Sequence, residues 1–309
     1  ALKAVVRDVP QPIGLSSRVL DNYRYFVEKL QDPSVDLVDV SLGLRKLVVV
    51  DVKLTRGIDH PQLVFEAMNS TGRRLSQADL IRNFVLMDLP PNAQEHLYED
   101  YWYPMEELFK GVNEARFDAF VRNYLTLKTG LIPRVGDIYE AFKAYAAELE
   151  VAGSSREDLV QDLSKHAQWF AAMALGNEID VQLRRSFVEI EQLSATVVYP
   201  FLLRLYSDYD AGILSKDEFR SILGTITAYW FRRAVCRIPT NILNKTFAGL
   251  GRFVDPERYV ESFDARLLTF TSSQRFPTDE EFAEALQTGD LYGLQRAPYF
   301  FRKMENYGR

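Results

Sequence analysis

Cysteine is nearly absent from this sequence, since Cys236 is the only one among 309 residues. A single thiol excludes an internal disulfide framework and a zinc site built from several thiolates. Long apolar runs are lacking too, because none approaches the roughly 20 residues that a membrane-spanning helix needs. The first residues lack the apolar core and cleavage site of a secretion signal. These absences predict a cytoplasmic protein with no membrane partner.

The chain has no excess of basic charge. Its formal net charge is -6 at pH 7, so a global positive field that attracts nucleic acid is excluded and any such binding has to be local. Hydrophobic residues make up 47% and charged residues 26%, proportions typical of a soluble globular protein with room for roughly two domains. The chain does not begin with Met, and we expect it to be part of a longer protein.

Histidine is scarce, and His60, His96 and His166 are scattered along the chain. Because no His, Asp or Glu cluster shows ligand spacing, the sequence predicts no metal held by this chain. The phosphate-binding glycine loops and the G-x-S-x-G nucleophile motif are also missing. No catalytic residue is predicted.

Residues 207–218 superficially resemble a calcium-binding loop. With Gly212 at the obligatory glycine position, Tyr209 and Ala211 occupy places where oxygen ligands belong, so calcium binding is not expected. Ser215 and Glu218 instead have the spacing of a capping box at the start of a helix.

Apolar residues at spacings of three and four predict helices over most of the chain. The β-branched run at 47–54 predicts a single strand, whose pairing partner we expect upstream of Ala1. The predicted fold class is mainly α, a helical array with a small α+β remnant at its N-terminal end. Residues 1–89 form this remnant, and residues 90–309 form an all-helical domain. Helices are expected over 117–125, 138–149 and 159–173, and near 16–31, 76–88, 182–207, 215–237, 239–250, 278–287 and 290–307.

The segment from Phe65 to Asn83 combines turn and helix signals. Gly72 follows Asn-Ser-Thr and is free to adopt a positive φ, while Ser76 and Asp79 resemble a capping box. Backbone N–H groups and guanidinium groups around a turn at a helix N-terminus suit a phosphate. A well-capped turn with surface arginines explains the same residues, and chemistry alone favours this structural interpretation.

This segment resembles the FxxxN motif, followed by N-S-T-G-x-x-L-x-x-x-D-L-I-R-N, of GmrSD-type modification-dependent restriction proteins, whose relatives include SspE and BrxU. Their N-terminal domain resembles the ParB fold and binds or hydrolyses nucleoside triphosphates. The resemblance therefore implies GTP, ATP or UTP as ligand, with Mg in the full-length protein. The residues that it implies at the nucleotide site are Phe65, Asn69, Ser70, Thr71, Gly72, Arg82 and Asn83.

The resemblance also implies roles for five of these residues. Phe65 would be a packing or base-contacting residue of the nucleotide site, and Asn69 would make a polar contact to the nucleotide or to DGQQR, the second motif of the family. Gly72 would permit the turn, while Arg82 and Asn83 would fix the helix or contact phosphate.

Two further stretches carry the resemblance, which extends over roughly residues 16–309. Residues 230–243 are similar to an R-R-x-x-C-x-x-P-T-N segment of the family, and residues 297–305 to the helix that leads into its C-terminal HNH nuclease. The DGQQR motif is missing, and no histidine follows His166. A metal-dependent nuclease of this type needs such a histidine, so this chain by itself is not expected to cut DNA.

Between Phe231 and Arg252 the sequence has five basic residues and no Asp or Glu. Such a local patch could neutralise DNA phosphates, with asparagines as additional donors. Alternatively, some of these arginines bind helix C-terminal carbonyls or acids on neighbouring helices, and periodicity cannot say which face is exposed. The predicted DNA contacts are Arg232, Arg233, Arg237, Asn241, Asn244 and Lys245.

Two functions remain open. The first is part of a prokaryotic anti-phage restriction enzyme that binds nucleotide and modified phage DNA, with cleavage by a nuclease domain outside this chain. The second is a non-catalytic helical module that binds DNA or docks to protein. Partners expected from the first are DNA and the protein's own N- and C-terminal segments, and a homo-oligomer remains open.

Overall fold

The computed structural model describes residues 17–49, 51, 64, 75–113, 115–294 and 296–306. The chain folds into two compact units, Ala1–Asp59 and His60–Arg309. In the first unit, α1 spans Ser17–Leu30 and α2 spans Leu37–Leu44. Helix α2 begins after Asp36, whose carboxylate accepts a hydrogen bond from the backbone N–H of Val38 at 2.7 Å.

The mainly helical fold is confirmed, and no strand occurs among the described residues. The strand predicted at 47–54 is not formed at Leu47, Val48, Val49 and Asp51, which have no regular secondary structure. Val50 and residues 52–54 lie outside the described residues. A strand forms only where another strand accepts and donates its backbone hydrogen bonds, and no described residue pairs with this run.

Helices also make up the second unit, and a π-helical turn, Tyr98–Trp102, joins two of them. Among the described residues, no helix is both long and apolar enough to span a membrane. The helices of this unit are α3 Gln77–Leu86, α4 Pro91–Leu97, α5 Tyr103–Leu108, α6 Ala115–Thr129, α7 Ile138–Val151, α8 Arg156–Ala174, α9 Val181–Gln192, α10 Tyr199–Asp210, α11 Lys216–Val235, α12 Leu243–Leu250, α13 Tyr259–Leu268, α14 Asp279–Thr288 and α15 Ala297–Glu305.

Helix α8 packs against α5, α6, α7, α9 and α10 and so lies at the centre of the second unit. It begins after Ser155, which forms a capping box with Asp158. Its apolar residues recur on more than one face, and Leu163, Ala167 and Phe170 are buried. A helix that is apolar on several sides is stable only when other helices surround it, as they do here.

The predicted helix over 182–207 is wrong, because the structure has two helices there, α9 and α10. The backbone of Ser194 adopts a positive φ of 52° between them. The next helix then starts at Tyr199, with Pro200 in its first turn. Proline has no N–H to donate, so it fits a first turn but would cost a hydrogen bond inside a continuous helix. The helices predicted near 239–250 and 290–307 are also shorter than predicted. They are α12, Leu243–Leu250, and α15, Ala297–Glu305.

His166 lies on α8 with only 5% of its side chain exposed. Its Nδ1 is 2.7 Å from the backbone carbonyl oxygen of Asp162, and since a carbonyl only accepts, Nδ1 carries the hydrogen of the neutral ring. Burial, followed by the nearby Lys128 ammonium, lowers the pKa of His166 from 6.5 to about 4. Protonation of the ring is therefore unfavourable in the folded protein.

This lowered pKa makes stability depend on pH. The unfolded chain takes up a proton near pH 6.5 and the folded protein only near pH 4, so the stabilisation present above pH 6.5 is lost as the pH falls between these values. Between about pH 7 and pH 5, the free energy of unfolding of His166→Gln should fall by about 1 to 2 kcal/mol less than that of the native protein. Urea unfolding at each pH measures this difference.

His96→Gln is the control for this prediction. His96 is exposed, and its hydrogen bond to Glu157 at 3.0 Å raises the pKa of the ring. Its contribution therefore has the opposite sign, being present at low pH and lost as the pH rises through the raised pKa. Identical pH profiles for the native protein and His166→Gln would contradict the assignment of a neutral buried ring.

Candidate nucleic-acid interface

Most of the predicted nucleotide site lies outside the described residues. This holds for Phe65, Asn69, Ser70, Thr71 and Gly72, so their predicted roles stay predictions. The described residues resume at Leu75, just before α3. Ser76 caps this helix as predicted, because its Oγ accepts from the backbone N–H of Asp79 at 3.1 Å.

Arg82 is held by two carboxylates. Its guanidinium pairs with Asp79 and with Glu106, both at 2.8 Å, and the Trp102 indole N–H donates to Glu106 at 2.8 Å. Both partners of Arg82 are carboxylates of the protein itself, so its positive charge is already compensated. This arrangement does not fit a contact to a triphosphate. Of the two predicted roles, the geometry supports fixing the helix, here α3 against α5.

Asn83, beside Arg82 on α3, is half-buried. Its backbone carbonyl accepts from the N–H of Met87 at 2.9 Å, which closes the last turn of α3. This bond belongs to the helix itself and leaves the predicted phosphate contact of the side chain a prediction.

Arg233, predicted to bind DNA, is buried near the end of α11 with 1% of its surface exposed. Its guanidinium donates to the carbonyl oxygens of Pro239 at 2.7 Å and Arg275 at 3.2 Å and lies 5.1 Å from the Tyr229 ring centre. Burial lowers the pKa of this guanidinium. The predicted contact of Arg233 with DNA is corrected, because the side chain joins two loops to α11 and does not reach the surface.

Arg232 is partly engaged as well. It pairs with Asp279 at 2.5 Å, donates to the carbonyl oxygen of Pro277 at 3.2 Å, and stacks at 5.1 Å from the ring centre of Phe282. An arginine neutralised by an acid on the next helix is the alternative that the sequence left open. Its role is therefore to attach α14 to α11.

The other four predicted residues are exposed. Within the described part of the chain, no carboxylate forms an ion pair with Arg237 or Lys245. Arg237 adopts a positive φ of 53° where the chain leaves α11, and the two asparagines flank the start of α12. We call these residues the α12 surface: Arg237, Asn241, Asn244 and Lys245.

A cavity of about 610 Å³ adjoins the α12 surface. Arg237 and Asn241 line one side, and Asp290 and Arg296 line the side contributed by the segment before α15. The carboxylate of Asp290 accepts from the backbone N–H groups of Tyr292 and Gly293 at 3.1 Å. Both bonds reach the same oxygen, Oδ1, so the Asp290 carboxylate keeps its charge beside the two arginines that line the cavity.

We expect large aromatic residues to pack in the core more often than to stack on bases, and most of them do so here. Trp102, Trp169, Tyr229 and Trp230 are buried. Tyr103 is the exception, with 44% of its surface exposed. Base stacking on the buried rings would require the core to open.

A second basic cluster lies between α9 and α15 and was not predicted. It lines a cavity of about 710 Å³ and contains Arg184, Arg185, Arg302 and Lys303. Each half is an ordinary pair of adjacent basic residues, and the two halves are more than a hundred positions apart in the sequence. Only the packing of α15 beside α9 brings them together, so no local pattern could have revealed the cluster.

Across the described residues, no group of three or more His, Cys, Asp or Glu lies close enough to hold a metal ion. The α12 surface and the second cluster offer guanidinium, ammonium and amide donors. Such groups bind oxyanions and base edges, so the chemistry on offer is binding.

No family model, no curated protein and no solved structure matches this chain. The resemblance to GmrSD-type restriction proteins therefore stays a prediction that rests on the sequence motifs.

Proposed function

We propose that this chain is the DNA-engaging helical part of a GmrSD-like, modification-dependent restriction protein of anti-phage defence. In this proposal a nucleoside triphosphate binds around Phe65–Gly72, and a nuclease domain outside the chain cuts the DNA. The observation that carries the DNA-binding part is the α12 surface, where exposed cations and amides have no acidic partner among the described residues. The family part is supported by the motif match between Phe65 and Asn83.

The α12 surface has the composition expected of a phosphate contact. Arg237 and Lys245 supply charge, and a guanidinium donates two parallel hydrogen bonds to a phosphate. Asn241 and Asn244 supply neutral donors and acceptors, which suit sugar, phosphate or base edges. The formal charge of the whole chain is -6, so DNA would approach only where such a local excess of positive charge exists.

The double variant Arg237→Ala/Lys245→Ala tests this proposal. We expect its affinity for duplex DNA to fall roughly tenfold to a hundredfold at about 0.1 M salt, because two phosphate contacts are lost. The slope of log K against log salt concentration should flatten by about 1.8, at about 0.9 for each contact. Fluorescence anisotropy with a labelled duplex over a series of NaCl concentrations measures both quantities.

Lys110→Ala/Arg220→Ala is the matched control, because it removes the same charge from α11 and from the turn after α5. Lys110 pairs with Glu107 and Arg220 with Asp217, so neither is expected to contact DNA. Salt-independent or undetectable DNA binding would oppose the proposal and favour the alternative, a non-catalytic helical module that docks to protein.

A further inference from the structure

The groove between α9 and α15 combines four cations with one carboxylate. Arg184 and Arg185 lie on α9, and Arg302 and Lys303 on α15. The carboxylate is Glu189, which pairs with Lys303 and also accepts a hydrogen bond from the Tyr299 hydroxyl at 3.2 Å. Its charge is therefore compensated inside the groove.

The three arginines keep an uncompensated charge of +3. Each is exposed, and among the described residues no carboxylate forms an ion pair with any of them. The acid that lines the groove, Glu189, is already paired with Lys303. Three like charges gathered on facing helices repel one another, and a bound anion would remove that repulsion.

The two helices hold this groove in a defined shape. Arg296 donates through Nε to the carbonyl oxygen of Leu193 at 2.6 Å, which attaches the start of α15 to the end of α9. Phe300 stacks on Phe231 of α11, with ring centres 5.9 Å apart. The arginines are thus carried by helices that are packed in place, and their separation does not depend on a flexible loop.

The groove along α9 is long enough to accommodate a short stretch of a nucleic-acid strand. From Arg184 to Gln192 an α-helix rises about 12 Å. One strand of duplex DNA carries a phosphate for about every 3.4 Å of axial rise, so about three to four phosphates span this length. The groove is concave and its cavity holds about 710 Å³, so a single phosphate backbone can enter it more deeply than the surface of a flat bilayer can.

We propose that the groove between α9 and α15 is a second nucleic-acid contact, which binds the phosphate backbone through Arg184, Arg185 and Arg302. Arg302 lies within residues 297–305, one of the stretches that resemble the restriction family, but the groove does not depend on the α12 surface. Lys303 and Glu189 form a neutral pair within it. Guanidinium forks suit this task, since each can hold a phosphate by two hydrogen bonds.

The triple variant Arg184→Ala/Arg185→Ala/Arg302→Ala of the full chain tests the groove. With a labelled duplex of about 20 base pairs, we expect the salt slope to flatten by about 2.7 and the affinity at about 0.1 M salt to fall by roughly two orders of magnitude. The control triple Lys110→Ala/Arg134→Ala/Arg220→Ala changes the net charge equally at other exposed positions. Unfolding curves confirm that both variants are folded.

Glu189→Gln gives a change in the opposite direction. It releases Lys303 while its amide oxygen still accepts from Tyr299, so the groove gains one free cation. Duplex affinity should rise about threefold to tenfold, and the salt slope should steepen by about 0.9.

Several results would overturn this proposal. One is a triple variant that loses no more affinity than its control, and another is a native protein that binds phosphatidylserine vesicles but no duplex. Failure of the groove is distinguishable from failure of the proposed function. If the groove does not bind DNA, only the α12 surface variant weakens DNA binding. If the α12 surface does not bind DNA, only the groove variant weakens it.

Discussion

Replacing Arg233 by alanine is expected to lower the free energy of unfolding by about 3 to 5 kcal/mol. The change removes the donor from the carbonyl oxygens of Pro239 and Arg275, both in part-buried hydrogen bonds, at about 1 kcal/mol for each bond. It also empties the volume of a long side chain, which adds a cost like that of other large-to-small core changes. Part of this is offset, because a charge that is costly to bury disappears with the guanidinium.

Urea unfolding followed by far-UV circular dichroism measures this loss. Arg232→Ala is the control, since it removes the same charge from the neighbouring residue. The Arg232 side chain is 27% exposed and pairs with Asp279. Its cost should stay near about 1 kcal/mol, as for other ion pairs near a surface. Equal losses for the two variants would contradict the structural role of Arg233. Arg233→Met should fall between them, because it fills the volume but leaves the carbonyl groups unpaired.

The same residue links stability to the proposed function. Arg233 holds the carbonyl of Pro239, and this residue lies in the loop between Arg237 and Asn241 of the α12 surface. A loop without this attachment would present the surface residues in several arrangements, so their binding to phosphate would cost more entropy. Arg233, which the sequence predicted to contact DNA, thus stabilises the loop that carries part of the α12 surface.

The three arginines near the end of α11 lie in different environments, which the sequence did not predict. A run of basic residues without acids predicts a positive patch, but helical periodicity alone does not decide which member faces the core. Arg232 forms an ion pair, Arg233 lies in the core and Arg237 is exposed to solvent. The difference comes from residues 275–281, about forty positions away or more, which pack over one side of α11.

Helix prediction succeeded where a local signal decides. Ser215 forms the predicted capping box with Glu218, so the start of α11 follows from the sequence. Ser155 also forms one with Asp158, and α8 therefore begins at Arg156, before the predicted helix over 159–173. Helix prediction failed between α9 and α10, although Pro200 already signals a first turn. The short helices α2, α4, α5 and α13 were not predicted.

The candidate site divides in the same way. The α12 surface lies within one short stretch of sequence, and its four exposed residues were predicted among six. The groove between α9 and α15 depends on Tyr299 and Lys303 meeting Glu189, more than a hundred positions apart. Contacts between residues so far apart in the sequence depend on tertiary packing, which composition and the spacing of apolar residues do not predict.

The largest remaining effect is expected at Asp208, a buried acid at the end of α10. Its carboxylate accepts from Arg204 Nε at 2.8 Å and from the Tyr259 hydroxyl of α13 at 2.5 Å. Tyr259 is 3% exposed, and burial together with its bond to Asp208 raises the pKa of the phenol. A buried hydroxyl without an acceptor is costly, so Asp208→Ala should lower the free energy of unfolding by about 2 to 4 kcal/mol.

Asp210→Ala is the matched control two residues along the same helix. Asp210 pairs with Lys165 at 3.0 Å, and 44% of its side chain is exposed, so its loss should cost about 1 kcal/mol or less. Asp208→Asn keeps an acceptor for the phenol and should lie between these values. A double-mutant cycle of Asp208→Ala with Tyr259→Phe, each of which removes this hydrogen bond, should give a coupling of about 1 to 2 kcal/mol. Independent, additive effects would mean that this hydrogen bond does not join α10 to α13.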